Sequence, residues 1–290
     1  MNKSLFFTLL ICLSTVLSAQ GQKDTTYWKS TGVAGINMSQ VSLTNWAAGG
    51  DASVAFDLNF SYGIDYLKDK KLWNSRLELA YGLNNTSTNG TRKTNDKIFF
   101  TSNYGYEISN NLYLSAALTF NTQFTEGYNY GVSTTDYIST FMAPGYLSFG
   151  PGLTWTPKSW FKASISPATW RETFVLDDAL SALGAFGVDP GKKMRAEFGG
   201  NLTAEVTHEF LPNMTLYTRL NLFSDYLGKP QNIDMRWDTQ VNMKINKWFS
   251  ANLQLNMIYD DDTIITDKNG KSGPRVQFKE VLGVGLQVNF

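Results

Sequence analysis

The groups in this chain whose type and spacing could do chemistry are charged residues that fall on one parity of long alternating segments. In the run from Asp51 to Lys68, Asp57 and Asp65 share a side with Asn59 and Ser61, while Phe56, Leu58, Phe60, Tyr62, Ile64 and Tyr66 take the other. Arg76 and Glu78 stand in the same way against Trp73, Leu77 and Leu79, and Glu107 against Tyr104 and Tyr106. Arg195, Glu197 and Glu205 oppose Ala196, Phe198, Leu202 and Ala204; Arg219, Asp225, Arg236, Asp238 and Lys244 repeat the pattern, joined by Lys162, Asp234 and Lys279. Carboxylates interleaved with cations make poor general acids. Such residues suit the lining of a polar interior, either a water-filled passage for small polar solutes or a plug of mutually satisfied ion pairs.

Other chemical candidates are sparse. A serine hydrolase needs a base within reach of its nucleophile, and the sole histidine, His208, falls on the apolar parity beside Glu209. Asp260, Asp261 and Asp262 could gather a divalent cation or bridge lipopolysaccharide, but they lack the spacing of a calcium loop, and a solvated loop is the simpler reading. Asn45 and Trp46 beside Gly49-Gly50 could contact a ligand or form a demanding turn around a buried Trp. Trp170 belongs to a stretch read as a loop, Ala168 to Lys193, which also carries Leu180, Leu183 and Phe186 and a short helix over Asp177–Leu183. That loop either folds over a mouth or packs on its neighbours. No phosphate loop, nucleotide fingerprint or metal-binding His cluster is present in the sequence, so no cofactor or metal is expected.

The elements that must position these groups follow from the same alternation. Successive side chains of a strand point to opposite faces, so each run is a strand with one apolar and one wet face. The Asp51–Lys68 run exceeds the usual length of a soluble strand and suits a bilayer, where the outward apolar band is about 25 Å tall. Further strands are expected over Trp28–Gln40, Leu72–Asn84, Asp96–Ile108, Leu112–Phe124, Tyr146–Trp155, Phe161–Pro167, Arg195–Phe210, Met214–Tyr226, Ile233–Ile245, Phe249–Tyr259 and Val276–Phe290. A polar loop is expected over Asn85–Asn95, and Pro151 marks a bulge. The predicted fold is all-β, a transmembrane antiparallel up-and-down barrel of about 12 strands.

Short turns alternate with longer loops, which places both termini and the short turns in the periplasm. Aromatics sort into a lower girdle of Tyr66, Trp73, Tyr106, Trp155, Phe161, Phe210, Phe249 and Phe290 and an upper one of Phe56, Phe124, Trp237 and Tyr259. Lysine plus arginine equals aspartate plus glutamate at 25 each, giving no electrostatic footprint for nucleic acid. Residues 1–19 read as a secretory signal peptide, 20–27 as a periplasmic leader and 28–290 as the barrel. The only cysteine, Cys12, lies in that signal. Its expected surroundings are outer-membrane lipid and lipopolysaccharide, with small polar solutes as cargo and no protein partner indicated.

Several segments together resemble a known family. Ser42–Gly50 with its Asn-Trp-Ala-Ala-Gly-Gly ending, Arg92–Asp96, Thr122–Phe124, Phe141–Tyr146, Asn221–Tyr226, Ile258–Asp262 and Phe278–Gly285 are similar to an outer-membrane family typical of Bacteroidota, catalogued as a domain of unknown function. The resemblance implies a Gram-negative outer-membrane barrel, porin-like in form. It supplies no catalytic or ligand residues. The function expected from the polar lining is a passive channel or transport component for small polar solutes; the alternative is a non-conducting structural or interaction barrel, serving envelope integrity or an export or uptake complex.

Overall fold

A computed structural model describes residues 27–43, 51–266 and 271–290. The alternating runs form antiparallel strands, each hydrogen-bonded to its sequence neighbours: β1 (Trp28–Val41), β2 (Ser53–Lys68), β3 (Lys71–Thr86), β4 (Gly90–Ser109), β5 (Leu112–Thr122) and β6 (Gly145–Lys158). The series continues with β7 (Phe161–Phe174), β8 (Met194–Leu211), β9 (Met214–Asp225), β10 (Asp234–Lys244), β11 (Phe249–Tyr259) and β12 (Gln277–Asn289). Strand β12 pairs with β1 from Val33↔Asn289 to Asn37↔Gly285, which closes the barrel. Closure leaves no sheet edge, so every strand can sit in hydrocarbon with its backbone satisfied. The expected signal peptide, the expected leader up to residue 26, and Asn45 and Trp46 lie outside the described residues.

The outer face is apolar. Leu58, Leu114, Ile165 and Leu282 are each at least half exposed on it, the last at 67%. Charged and amide side chains take the opposite parity, facing the lumen. A chain that exposes large aliphatics on the outside and buries its charges inside is a transmembrane β-barrel, the inverse of a soluble domain. No helix among the described residues is long and apolar enough to cross a membrane.

The start of β1, the end of β12 and the short turns share one end. There Asp69, Asn111 and Asn213 take left-handed backbone conformations that their short polar side chains tolerate. Glu107 and Glu209 accept hydrogen bonds from the backbone N–H of Asn111 and Asn213, at 3.1 and 2.8 Å. Aromatic rings gather here in two groups: the Trp28 ring centroid lies 4.7 Å from that of Tyr66 and 5.8 Å from that of Trp73, and Trp160 lies 6.1 Å from Phe161.

The opposite end carries the longer connections, with two corrections to the sequence reading. Asn85–Asn95 is no loop: β3 and β4 stay paired up to Thr86↔Gly90, and only Ser87–Asn89 turn. Asp51 caps that turn by accepting from the Ser87 and Thr88 hydroxyls, and Gly90 supplies the positive φ of 66°. The loop expected from Ala168 starts later, because β7 runs on to Phe174. Pro167 misled the reading: it cannot donate to the ladder. The chain meets this with a bulge and resumes the strand. Register passes from Leu153↔Ile165 to Phe149↔Trp170, one more step along β7 than along β6.

That extra residue swaps the parity. Before it Lys162, Ser164 and Ser166 face inward; after it Thr169, Arg171 and Thr173 do. Trp170 therefore stands on the outer face of a strand, donating its indole N–H to Glu172 at 3.0 Å, and is no part of a mouth-covering loop. The actual connection, 175–193, includes α1 (Asp178–Ala182), capped by Asp177, whose side chain accepts from Leu180 N at 2.9 Å. Val175, Leu180 and Val188 pack on Ala143, with Tyr137 and Phe186 against them. This is an ordered surface loop with its own small core. Tyr137 donates to Asp177 at 3.0 Å, and that bond pushes its phenol above the ordinary range.

Candidate functional site

The lumen holds the polar groups, and the register shows how they meet. Between neighbouring strands the direct partners are Lys162↔Glu205, Glu205↔Arg219, Arg219↔Asp238, Asp238↔Asn256 and Asn256↔Lys279. This is a belt of alternating charge running from β7 to β12. Lys162 Nζ lies 2.8 Å from Glu205 Oε2, Arg219 Nε 3.5 Å from Glu205 Oε1, and Arg236 Nε 3.1 Å from Asp238 Oδ2. Asn256 donates to Asp238 at 2.6 Å. Pairing of this kind is what allows charges to be buried at all.

The facing wall answers with an aromatic ring and a second charge group. Phe99 on β4 is buried in the lumen with Arg219, Lys97 and Arg236 at 4.8, 5.0 and 5.9 Å from its ring centroid. Lys97 pairs with Glu78 at 2.6 Å, and Arg76 reaches the same carboxylate at 3.9 Å. Arg76 also lies 5.0 Å from the Tyr217 ring. In the closed order β3 and β9, and likewise β4 and β10, lie on opposite sides of the barrel. Contacts between Arg76 and Tyr217, and between Phe99 and Arg236, therefore cross the whole lumen. Cation–π attraction is strengthened where water is excluded, so this layer is held together as well as filled.

Toward the long-loop end a second cluster forms. Arg171 Nε and Nη2 fork onto Glu197 at 2.8 and 2.5 Å while its Nη1 meets Asp234 at 2.7 Å, and its guanidinium lies 3.9 Å from the Phe223 ring. Arg195 bridges Glu197 at 3.2 Å to Asp262 at 2.8 Å, tying the rim to the lumen. Near the short-turn end amides join the lining: Asn242 donates to Asn252 and to Gln287, both at 2.6 Å.

The expected lining residues thus divide. Arg76, Glu78, Glu205, Arg219, Arg236 and Asp238 come together at mid-lumen, and Arg195 and Glu197 join above them. Asp57 stands apart, receiving Asn95 at 2.9 Å, and Lys279 donates to that same Asn95 at 2.5 Å. Asp65 is exposed and accepts from Asn74, Glu107 caps a turn, Asp225 accepts from Leu227 N at 3.1 Å, and Lys244 is exposed at its strand end. The three rim aspartates go separate ways: Asp262 to Arg195, Asp261 to Lys229 at 3.3 Å and to Asn232, Asp260 to the Asp262 N–H. His208 sits on the outer face, 5.6 Å from the Trp160 ring.

Sequence reasoning missed Lys97, Phe99, Arg171, Tyr217 and Phe223. Phe99 did carry a signal, since of two consecutive aromatics in a strand one must face inward. Arg171 was hidden by the bulge.

The strands β5 to β7 line their part of the lumen with hydroxyls. Thr154, fully buried, lies 2.8 Å from Ser115 Oγ and 2.9 Å from Ser164 Oγ, and Thr119 meets Ser148 at 2.5 Å. Between this wall and Lys162, Glu205 and Arg219 lies a cavity of about 50 Å³.

Residues 38–128 match a family described as a protein of unknown function (DUF3078). No curated protein sequence matches the chain. Among solved structures, an outer membrane channel from Pseudomonas putida F1 aligns at 12% identity over 93% of this chain and 100% of that one, with a TM-score of 0.40. The translocator domain of the autotransporter NalP from Neisseria meningitidis aligns at 9% identity over 99% and 95%, TM-score 0.34, and the NanC porin at 10% over 88% and 98%, TM-score 0.38.

Proposed function

We propose that the protein is an outer-membrane β-barrel that is shut at mid-lumen, a non-conducting structural or interaction barrel. The supporting observation is that side chains of opposite strands touch across the lumen, Arg76 with Tyr217 and Phe99 with Arg236. The apolar outer band and the aromatic girdle support a place in lipid. In this reading residues 1–19 direct export, the termini and short turns face the periplasm, and the longer loops face outward among lipopolysaccharide, where a partner would meet them.

The test is steady current in planar bilayers together with sugar efflux from liposomes carrying the purified protein. Neither is expected; a steady current with efflux overturns the reading. That result would favour the second reading, a passive channel for small polar solutes. The cavity beside the hydroxyl wall favours it, because there the lumen lining leaves room beside the charged layer.

A further inference from the structure

The mid-lumen layer is not neutral. Arg76, Lys97, Lys162, Arg219 and Arg236 face Glu78, Glu205 and Asp238, which leaves two positive charges in excess. Asp57 and Lys279 cancel each other through Asn95. The surplus is local, because the cluster above it, Arg171 and Arg195 with Glu197, Asp234 and Asp262, is one carboxylate to the good. Cations enclosed by low-dielectric walls repel one another far more than they would in water. A bound counter-ion relieves that repulsion.

The place for such an ion is marked by an independent observation. Arg219 is only 6% exposed, it lines the cavity, and its Nη1 is buried without a hydrogen-bond partner among the described residues. A buried guanidinium N–H left unmade costs more than a neutral donor does. Lys162 lines the same cavity and adds a second cation, and the Glu205 carboxylate paired with both also lines it, so the charged side chains of the lining carry one net positive charge. On the opposite side Thr119 and Ser148 share a single hydrogen bond, so one of their two O–H groups is left to donate. The volume, about 50 Å³, exceeds the ~10–15 Å³ that one water needs and falls well below the ~300–1,000 Å³ of a site for a larger ligand.

We infer that this cavity is a binding site for one small inorganic anion of halide size, held between Arg219 and Lys162 on one side and the Thr119–Ser148 hydroxyl pair on the other. The inference does not depend on whether the lumen conducts.

Crystals of the full barrel grown or soaked in sodium bromide, measured at the bromine absorption edge, test it directly. The expected result is an anomalous peak in the cavity beside Arg219. Peaks confined to surface lysines and arginines, or a cavity without anomalous signal, overturn the inference. Because an Arg219 variant breaks the belt in its middle, the solution arm uses Lys162→Gln, at the end of the belt, with chlorine-35 line broadening of the detergent-solubilised protein titrated by bromide. Wild-type broadening should be displaced saturably by bromide, with an affinity about tenfold weaker in K162Q, as expected for the loss of ~1.4 kcal/mol. Should K162Q fail to fold, the wild-type bromide peak still decides; equal affinity in a folded K162Q overturns the assignment of Lys162 and the site as drawn.

Discussion

The two walls of the lumen are built from different chemistry, and the contrast accounts for the shape of the interior. From β8 to β10 the inward residues are long and charged, Glu205, Arg219, Arg236 and Asp238, and they reach across to Phe99 and Glu78. From β5 to β7 the central inward residues other than Lys162 include Ser115, Thr119, Ser148, Thr154 and Ser164, which bond to one another and stop at the wall. Long charged side chains must find partners when buried; here the ion pairs join neighbouring strands, while the rings of Phe99 and Tyr217 receive cations from the far side, which under the proposed function closes the lumen. Short hydroxyls satisfy each other locally and leave space. The cavity sits where the two chemistries meet.

The comparison is broken most severely by removing the ring on which three cations converge. Phe99→Ala should turn a silent barrel into one with steady single-channel current, at a stability cost of ~3–5 kcal/mol; silence in a folded F99A would mean that the charged wall closes the lumen without it. Next in size, Glu205→Gln removes the carboxylate shared by Lys162 and Arg219, and breaking a buried pair costs ~3–5 kcal/mol. Urea titration of the folded band on an unheated gel measures this, and a loss below ~1 kcal/mol would show the belt to be well hydrated.

On the other wall, Thr154→Val deletes the hydroxyl that joins Ser115 and Ser164. The expected loss in the same titration is ~1–3 kcal/mol with no current, because that wall does not reach the opposite side. A conducting T154V would contradict the division of labour between the walls. The smallest effect belongs to deletion of 178–187, which lies in the outer loop: lipid-bilayer recordings of F99A should be the same with and without it. A changed conductance would make this loop part of the lumen path.

Much of this was legible beforehand, for a definite reason. A strand repeats every two residues, so parity alone assigned Leu58, Leu114 and Leu282 to lipid and Arg76, Glu78, Glu205, Arg219 and Asp238 to the interior. Parity fails wherever one residue is inserted. The bulge at Pro167 sent Trp170 outward and Arg171 inward, the reverse of what simple counting past the proline yields, and Asn85–Asn95 looked like a loop because polar residues also suit a hairpin standing clear of the hydrocarbon. Parity also says nothing about the ends of strands, which is why Asp65, Glu107, Asp225 and Lys244, though on the inward side, serve turns or solvent.

The amino-acid sequence by itself determined the number of barrel strands and the face of the residues lying clear of the bulge, because these follow from local backbone geometry and from the need to present apolar groups to lipid. Which charges meet was decided only by the tertiary structure. Closure of β1 on β12 sets β3 opposite β9 and β4 opposite β10, and the lengths of Arg76, Arg219, Arg236 and Phe99 then carry them across a distance no local pattern encodes. A polar lining was written in the alternation; its closing into a charged, aromatic layer came from the curvature of the sheet.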